Sequence, residues 1–328
     1  MRKLLILILV LAFLAGGCQT PARDFEQVSS QEKVILKFSH VVGDNTPKGR
    51  AARRWAQLVQ ERSRGRVEIQ VFPNSTLYKD GEELAAVQKG YVQIIAPATS
   101  KLTEFSPVWQ LLDLPFYYED IDAVHRLLDG PVGEKLKQSL FARNLLVLAY
   151  WDNGFKVMAA NRPLVKVSDF RDLNFRIMNS PMLAKQFRRL GANPVAMAFS
   201  DVYSALEKGQ VEGSENPPSN LYSKKFYQLQ KYITLSNHGY VGYAVVVNKS
   251  QWEALDQKIR QLLLDTLQEV TIWERQEAFK QNLDDLERIR RAQGTKIIEL
   301  TPEQRKEWQR ILMPLREELA QEIGEDWF

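Results

Sequence analysis

Val34 to Ser39 read as a buried strand, Pro47 to Ser63 as a helix, and Val67 to Phe72 as a second strand ending at the Pro73-Asn74 turn. Asp80 to Lys89 then carry a helical pattern closed by Gly90, and Val92 to Ala96 a third strand. The rhythm of strand, helix, strand, helix, strand predicts an α/β unit with a largely parallel sheet and ligand sites at the carboxyl ends of its strands.

The pattern then returns. Leu145 to Tyr150, Phe155 to Ala159 and Asn174 to Met178 read as strands, and Pro181 to Leu190 as a helix ended by Gly191, so a second α/β unit starts near residue 155. Tyr243 to Asn248 form another strand, and from Gln251 the chain is helical to about Arg291 with few breaks. A helix or kinked helix pair of that length can lie across two lobes. With 328 residues, two lobes with a cleft between them are expected, comprising 33–154 plus 243–280 and 155–242 plus 281–328. No long Gly/Ser linker separates them, which predicts several short crossings.

The amino terminus follows different rules. Met1 to Lys3 are a short basic start, Leu4 to Leu14 are almost wholly apolar, and Ala15-Gly16-Gly17-Cys18 supply a small-residue cleavage site, the layout of a secretory signal over residues 1–17. The apolar run is well short of the ~20 residues that span a bilayer as a helix. Cys18, the only cysteine, resembles the modified residue of a bacterial lipobox, although Ala15 stands where leucine is usual. The bland alternative is a plain signal with an incidental cysteine. Residues 18–32 are polar and aperiodic, as a tether between membrane and domain would be. Export to the periplasm or the outer face of the cell membrane follows.

Composition narrows the function. Charged residues at 26% and hydrophobic ones at 45% are ordinary for a globular chain. The formal charge is +4, and removal of Arg2 and Lys3 with the leader leaves +2, which is no nucleic-acid footprint. Arg53, Arg54, Arg62, Arg64 and Arg66 sit among acidic residues as a solvated face would. His40, His125 and His238 are far apart and lack metal-ligand spacing, and no G-x-G-x-x-G, Walker A or G-x-S-x-G string occurs. Neither a metal, a cofactor nor catalysis is expected.

Asn174-Phe175-Arg176-Ile177-Met178 places one arginine inside an apolar strand. Burying a guanidinium alone is expensive, so Arg176 faces either an anionic ligand or an internal carboxylate. Gly213 to Pro218 read as a loop after the short strand-like Val211-Glu212, where Asn216 either offers its amide to the same anion or caps the turn. Lys156, after Trp151-Asp152-Asn153-Gly154-Phe155, is a further cation at the lobe junction, or a surface residue.

Together with these strings, Phe38-Ser39-His40, Gly65-Arg66-Val67, Phe72-Pro73-Asn74, Asp113-Leu114-Pro115-Phe116, Met197-Ala198-Phe199 and Gly213 to Pro217 carry a resemblance. From about residue 33 to beyond 290 the chain resembles the solute-binding subunits of tripartite ATP-independent periplasmic (TRAP) transporters, in the C4-dicarboxylate-binding, DctP-type branch. The resemblance implies a two-lobed periplasmic-binding-protein-like fold with a long helix spanning both lobes. It implies that Arg176 pairs with a ligand carboxylate, that Asn216 hydrogen-bonds it, and that Phe199 packs on the bound molecule. Lys156 matches a position that is arginine in sialic-acid-binding relatives and lysine in dicarboxylate binders, and Lys101, with Ser100 beside it, falls where those relatives also carry a basic residue, so a second carboxylate is expected on Lys156 or Lys101. The implied partners are a small carboxylate (malate, succinate or fumarate) and one small and one large integral membrane subunit, with transport driven by an ion gradient; a monomer is expected. Rivals are another organic acid, such as a 2-oxo acid or sugar acid, and a sensory role on a membrane receptor.

Overall fold

A computed structural model describes residues 33–328; the leader, Cys18 and the tether lie outside the described residues. In chain order the elements are β1 (Val34–Ser39), α1 (Pro47–Arg62), β2 (Val67–Phe72), α2 (Glu82–Gln88), β3 (Ile94–Ile95), α3 (Ile121–Leu128), α4 (Pro131–Gln138), β4 (Leu145–Phe155), β5 (Val157–Ala160) and β6 (Asn174–Ile177). They continue with α5 (Pro181–Arg189), β7 (Asn193–Ala196), α6 (Val202–Glu207), β8 (Gly213–Asn216), α7 (Pro218–Ser223), β9 (Tyr232–Leu235) and β10 (Tyr240–Asn248). The carboxyl-terminal part is α8 (Lys249–Ala254), α9 (Gln257–Arg291), β11 (Lys296–Glu299), α10 (Pro302–Leu312) and α11 (Leu315–Ile323).

Two sheets form, in the orders β2-β1-β3-β10-β4 and β11-β9-β5-β8-β6-β7. The strand-helix alternation makes β1 parallel to β2 and β3, and β6 parallel to β7 and β8. The rest of each sheet departs from the largely parallel expectation: β10 runs antiparallel to β3 and β4, and β5 antiparallel to β8 and β9. The cause is the way the chain changes lobe. β4 runs into β5 across the single residue Lys156, and β9 returns to β10 a few residues later, so two oppositely directed crossings lie side by side. The backbone N–H of Lys156 donates to the Gly239 carbonyl at 2.8 Å and ties them together.

The third connection is α9, 35 residues and about 50 Å long at 1.5 Å per residue. It packs on the first lobe through Trp55, whose indole N–H donates to Thr266 Oγ1 at 3.1 Å, and through Trp151, whose N–H donates to Thr271 Oγ1 at 3.0 Å. It reaches the second lobe where Asn282 Oδ1 accepts the Ser219 N–H at 2.9 Å. No helix among the described residues is long and apolar enough to cross a membrane. Aromatic packing fills both cores: Phe38 sits edge-on to Trp55 with centroids 6.1 Å apart, and Phe175 stacks on Phe187 at 4.1 Å.

Gly213 to Asn216 form a strand rather than the expected loop, buried between β5 and β6 at all four positions. Their polar character hides the strand, because Ser214 and Glu215 have hydrogen-bonding partners where a buried strand usually has apolar neighbours; Ser214 Oγ donates to Gln230 Oε1 at 3.0 Å, and Glu215 accepts from Lys156 at 2.8 Å. Gly213 is required there, since a Cβ would stand 2.4 Å from the Phe175 ring.

Candidate functional site

The carboxyl ends of the parallel strands face each other across the lobe junction around a small cavity of about 30 Å³. That is room for about one water molecule. Lys48, Asp80, Lys101 and Tyr243 line it from the first lobe, and Arg176, Phe199, Asn216 and Asn220 from the second. A larger hollow of about 510 Å³ lies at the crossings, but its walls are mainly apolar (Phe155, Leu235, Phe279, Leu283). Its one cation, Arg305, is turned onto the Ser236 carbonyl and the Phe116 ring. The smaller cavity holds the concentrated charge, which makes it the candidate.

Arg176 lies on β6 and is only 1% exposed. Its Nη2 donates to the Met197 carbonyl at 3.0 Å, and its Cζ stands 5.8 Å from the centre of the Phe199 ring. Its Nε has no partner, and no carboxylate lies within ion-pairing distance among the described residues. Of the two readings of this arginine, the internal salt bridge therefore finds no acid in reach. Burial lowers its pKa to about 10, with Glu215 opposing, so the guanidinium remains charged at neutral pH. Beside it the buried Asn216 Nδ2, at the end of β8, and the Asn220 Oδ1, in α7, also lack partners among the described residues.

The opposite wall is cationic too. Lys48 follows Pro47 in the first turn of α1, whose Thr46 side chain caps the Gly49 N–H at 3.2 Å. Its ammonium donates to the Ala96 carbonyl at 2.7 Å and sits 3.7 Å over the Tyr243 ring. Burial pushes its pKa down to about 7, against the pull of Glu83 and Glu274. Lys101, on the short turn Thr99–Glu104, pairs with Asp80. Burial, with the Arg176 and Lys48 charges, pushes the Lys101 ammonium down. Asp80 Oδ2 accepts the Phe199 N–H at 2.8 Å, which links the two lobes directly across the cavity.

The structure brings Arg176, Asn216, Phe199 and Lys101 together on one cavity and places Lys156 and Ser100 outside its lining. The Lys156 ammonium is fully buried against Glu215 Oε1 at 2.8 Å. Glu215 Oε2 meets His238 Nε2 at 2.7 Å, and His238 Nδ1 meets Ser236 Oγ at 2.7 Å. Strand alternation is the reason: Glu215 and Asn216 are neighbours on β8 and point to opposite faces, so the acid takes Lys156 away from the cavity that Asn216 lines. Ser100 Oγ donates to Asp113, as does Ser180 Oγ from the other lobe at 2.6 Å. The second carboxylate contact expected of Lys156 is thus not offered by this arrangement. Sequence reasoning missed Lys48, Asp80, Asn220 and Tyr243. Lys48 had a signal, since a cation in the first turn of a helix opposes the helix dipole and asks for another reason to be there.

Residues 38–322 match the family described as bacterial extracellular solute-binding protein, family 7. The chain is 43% identical over 297 residues to the C4-dicarboxylate-binding periplasmic protein DctP of Rhodobacter capsulatus, covering 89% of this chain and 88% of that one. It is 44% identical over 293 residues to the C4-dicarboxylate-binding protein DctB of Bacillus subtilis, covering 89% and 84%. Among solved structures, a TRAP periplasmic solute-binding protein from Sulfurospirillum deleyianum with bound succinate superposes with a TM-score of 0.87 at 42% identity, over 90% of this chain and 97% of that one. Agreement in sequence along nearly the whole described chain, and in the path of its backbone, makes this protein a member of bacterial extracellular solute-binding protein family 7, of the TRAP type.

Proposed function

We propose that this protein is the extracytoplasmic solute-binding subunit of a TRAP transporter and that its solute is a C4-dicarboxylate such as succinate, malate or fumarate. The observation that carries the reading is the buried Arg176, without an acidic partner among the described residues, facing Lys48 and Lys101 across a cleft between lobes. One carboxylate docks on Arg176 and Asn216, and the other meets Lys48 and Lys101. Lys156, engaged by Glu215, has no part in this scheme. A charge-assisted hydrogen bond contributes about 1.5–3 kcal/mol, and micromolar affinity requires about 8 kcal/mol net. Two carboxylates held by cations and amides reach that range. The names of the Rhodobacter and Bacillus relatives and the succinate in the Sulfurospirillum structure support the same solute class.

The cavity is too small for such a solute as it stands, so the lobes part to admit it and close with the ligand bridging them. The closed, loaded form is what small and large membrane subunits receive, and the protein itself performs no chemistry on the solute. A lipid on Cys18 would tether it at the outer face of the membrane. A thermal-shift panel on protein stripped of co-purified ligand tests the solute class. At about a thousandfold excess over its dissociation constant a ligand adds roughly 4 kcal/mol. Stabilisation by succinate, malate or fumarate supports the reading; stabilisation by 2-oxo acids or sugar acids alone refutes the dicarboxylate assignment.

A further inference from the structure

We propose that Asp80 sets the charge class of the solute: among the described residues it is the one acid lining the cavity against three cations, Lys48, Lys101 and Arg176, and leaves a net charge of +2 that a dianion neutralises. This deepens the dicarboxylate reading and rests on it.

The Asp80 side chain is 3% exposed and both oxygens are engaged, one by the Lys101 ammonium and the other by the Phe199 N–H. It is therefore held in the wall and does not turn out to solvent when a solute enters. The acids next behind the lining are offset, and Lys224, 5.4 Å from the centre of the Phe199 ring, lies outside the lining. Glu83 and Glu274, which face Lys48, are held toward their neutral forms by burial, Glu83 at about 7 and Glu274 well above the usual carboxylate range. Glu215, near Arg176, is neutralised by Lys156. In a closed, water-poor site an unpaired charge is expensive. A monoanion leaves one cation unmatched and a trianion leaves one negative charge unmatched, so discrimination arises from repulsion and desolvation as much as from attraction.

Calorimetric dissociation constants for succinate and for succinamate, its monoanionic isostere, are measured at pH 6.5 for the wild type, Asp80→Asn and Lys101→Gln. The informative quantity is the preference for succinate over succinamate, because the two ligands fill the same space. Asp80→Asn raises the lining to +3 and is expected to raise that preference at least tenfold; Lys101→Gln lowers the lining to +1 and is expected to lower it at least tenfold. A preference unchanged in either folded variant, or loss of both ligands together in Lys101→Gln, overturns the proposal. If Asp80→Asn fails to fold, Lys101→Gln decides alone. A wild type that binds no succinate refutes the functional reading instead, so the two failures are distinguishable.

Discussion

Lys48 stands at the positive end of α1, where a cation is disfavoured, and is sealed from water over the ring of Tyr243. Burial holds its pKa near 7, and Glu83 beside it is pushed up to about 7. An arriving dianion favours the ammonium over the amine and the protonated over the ionised carboxyl, so it raises both pKa values. Binding above pH 7 must therefore take up protons. The expected result is an affinity that is highest near pH 6, falls below that as the solute itself takes up a proton and loses its second charge, and weakens about tenfold per pH unit and per proton above pH 7. Calorimetry near pH 8 in buffers of different ionisation enthalpy reads the uptake directly; Lys48→Met should reduce it, and a pH-independent affinity between 6 and 9 would contradict this account. Arg176 was legible in the sequence because a lone arginine in an apolar strand has few explanations. Lys156 was not, because its partner Glu215 lies 59 residues away and only the paired strands bring them together.

At the scale of elements, the two crossings β4–β5 and β9–β10 are pinned by Glu215, which takes Lys156 from one and His238 from the other. Burial raises the Glu215 carboxyl, but Lys156 and the His238 hydrogen bond outweigh it and hold it at about 2. Removing one partner of such a buried pair leaves an uncompensated charge, so Glu215→Ala is expected to cost about 3–5 kcal/mol of stability in urea unfolding. A change below about 1 kcal/mol would mean that the crossings do not depend on this pin. Helices and strands with strong local periodicity were legible: Pro47 to Ser63 is found as Pro47–Arg62, and Pro181 to Leu190 as Pro181–Arg189. Strand direction was not, because it is set by where the chain changes lobe rather than by any local pattern. β8 was hidden for the opposite reason, with hydrogen-bonding residues where a buried strand usually carries apolar ones. The short strands Asn193–Ala196 and Lys296–Glu299, exposed at both ends, lack the apolar run that marks an interior strand.

At the scale of the whole molecule, two sheets meet at a cavity ringed by charge from both lobes, and α9 lies along their junction as a common support. Ligand contacts on both sides are what make closure favourable, since a solute shifts an equilibrium only by its differential affinity for the two states. The alternation of elements foretold the two α/β units, and the lone arginine in an apolar strand is found buried at the junction; how many cations converge there, and from which lobe, appears only when the lobes are assembled. A C4-dicarboxylate is expected to bind between the lobes through Arg176. Titration of succinate, malate and fumarate into ligand-stripped wild type and Arg176→Ala by calorimetry tests it most directly. Saturable binding at micromolar dissociation constants or tighter, one solute per chain, with loss of at least a hundredfold in Arg176→Ala, is the expected result. Undiminished affinity in Arg176→Ala, or no dicarboxylate binding to the wild type, would contradict it.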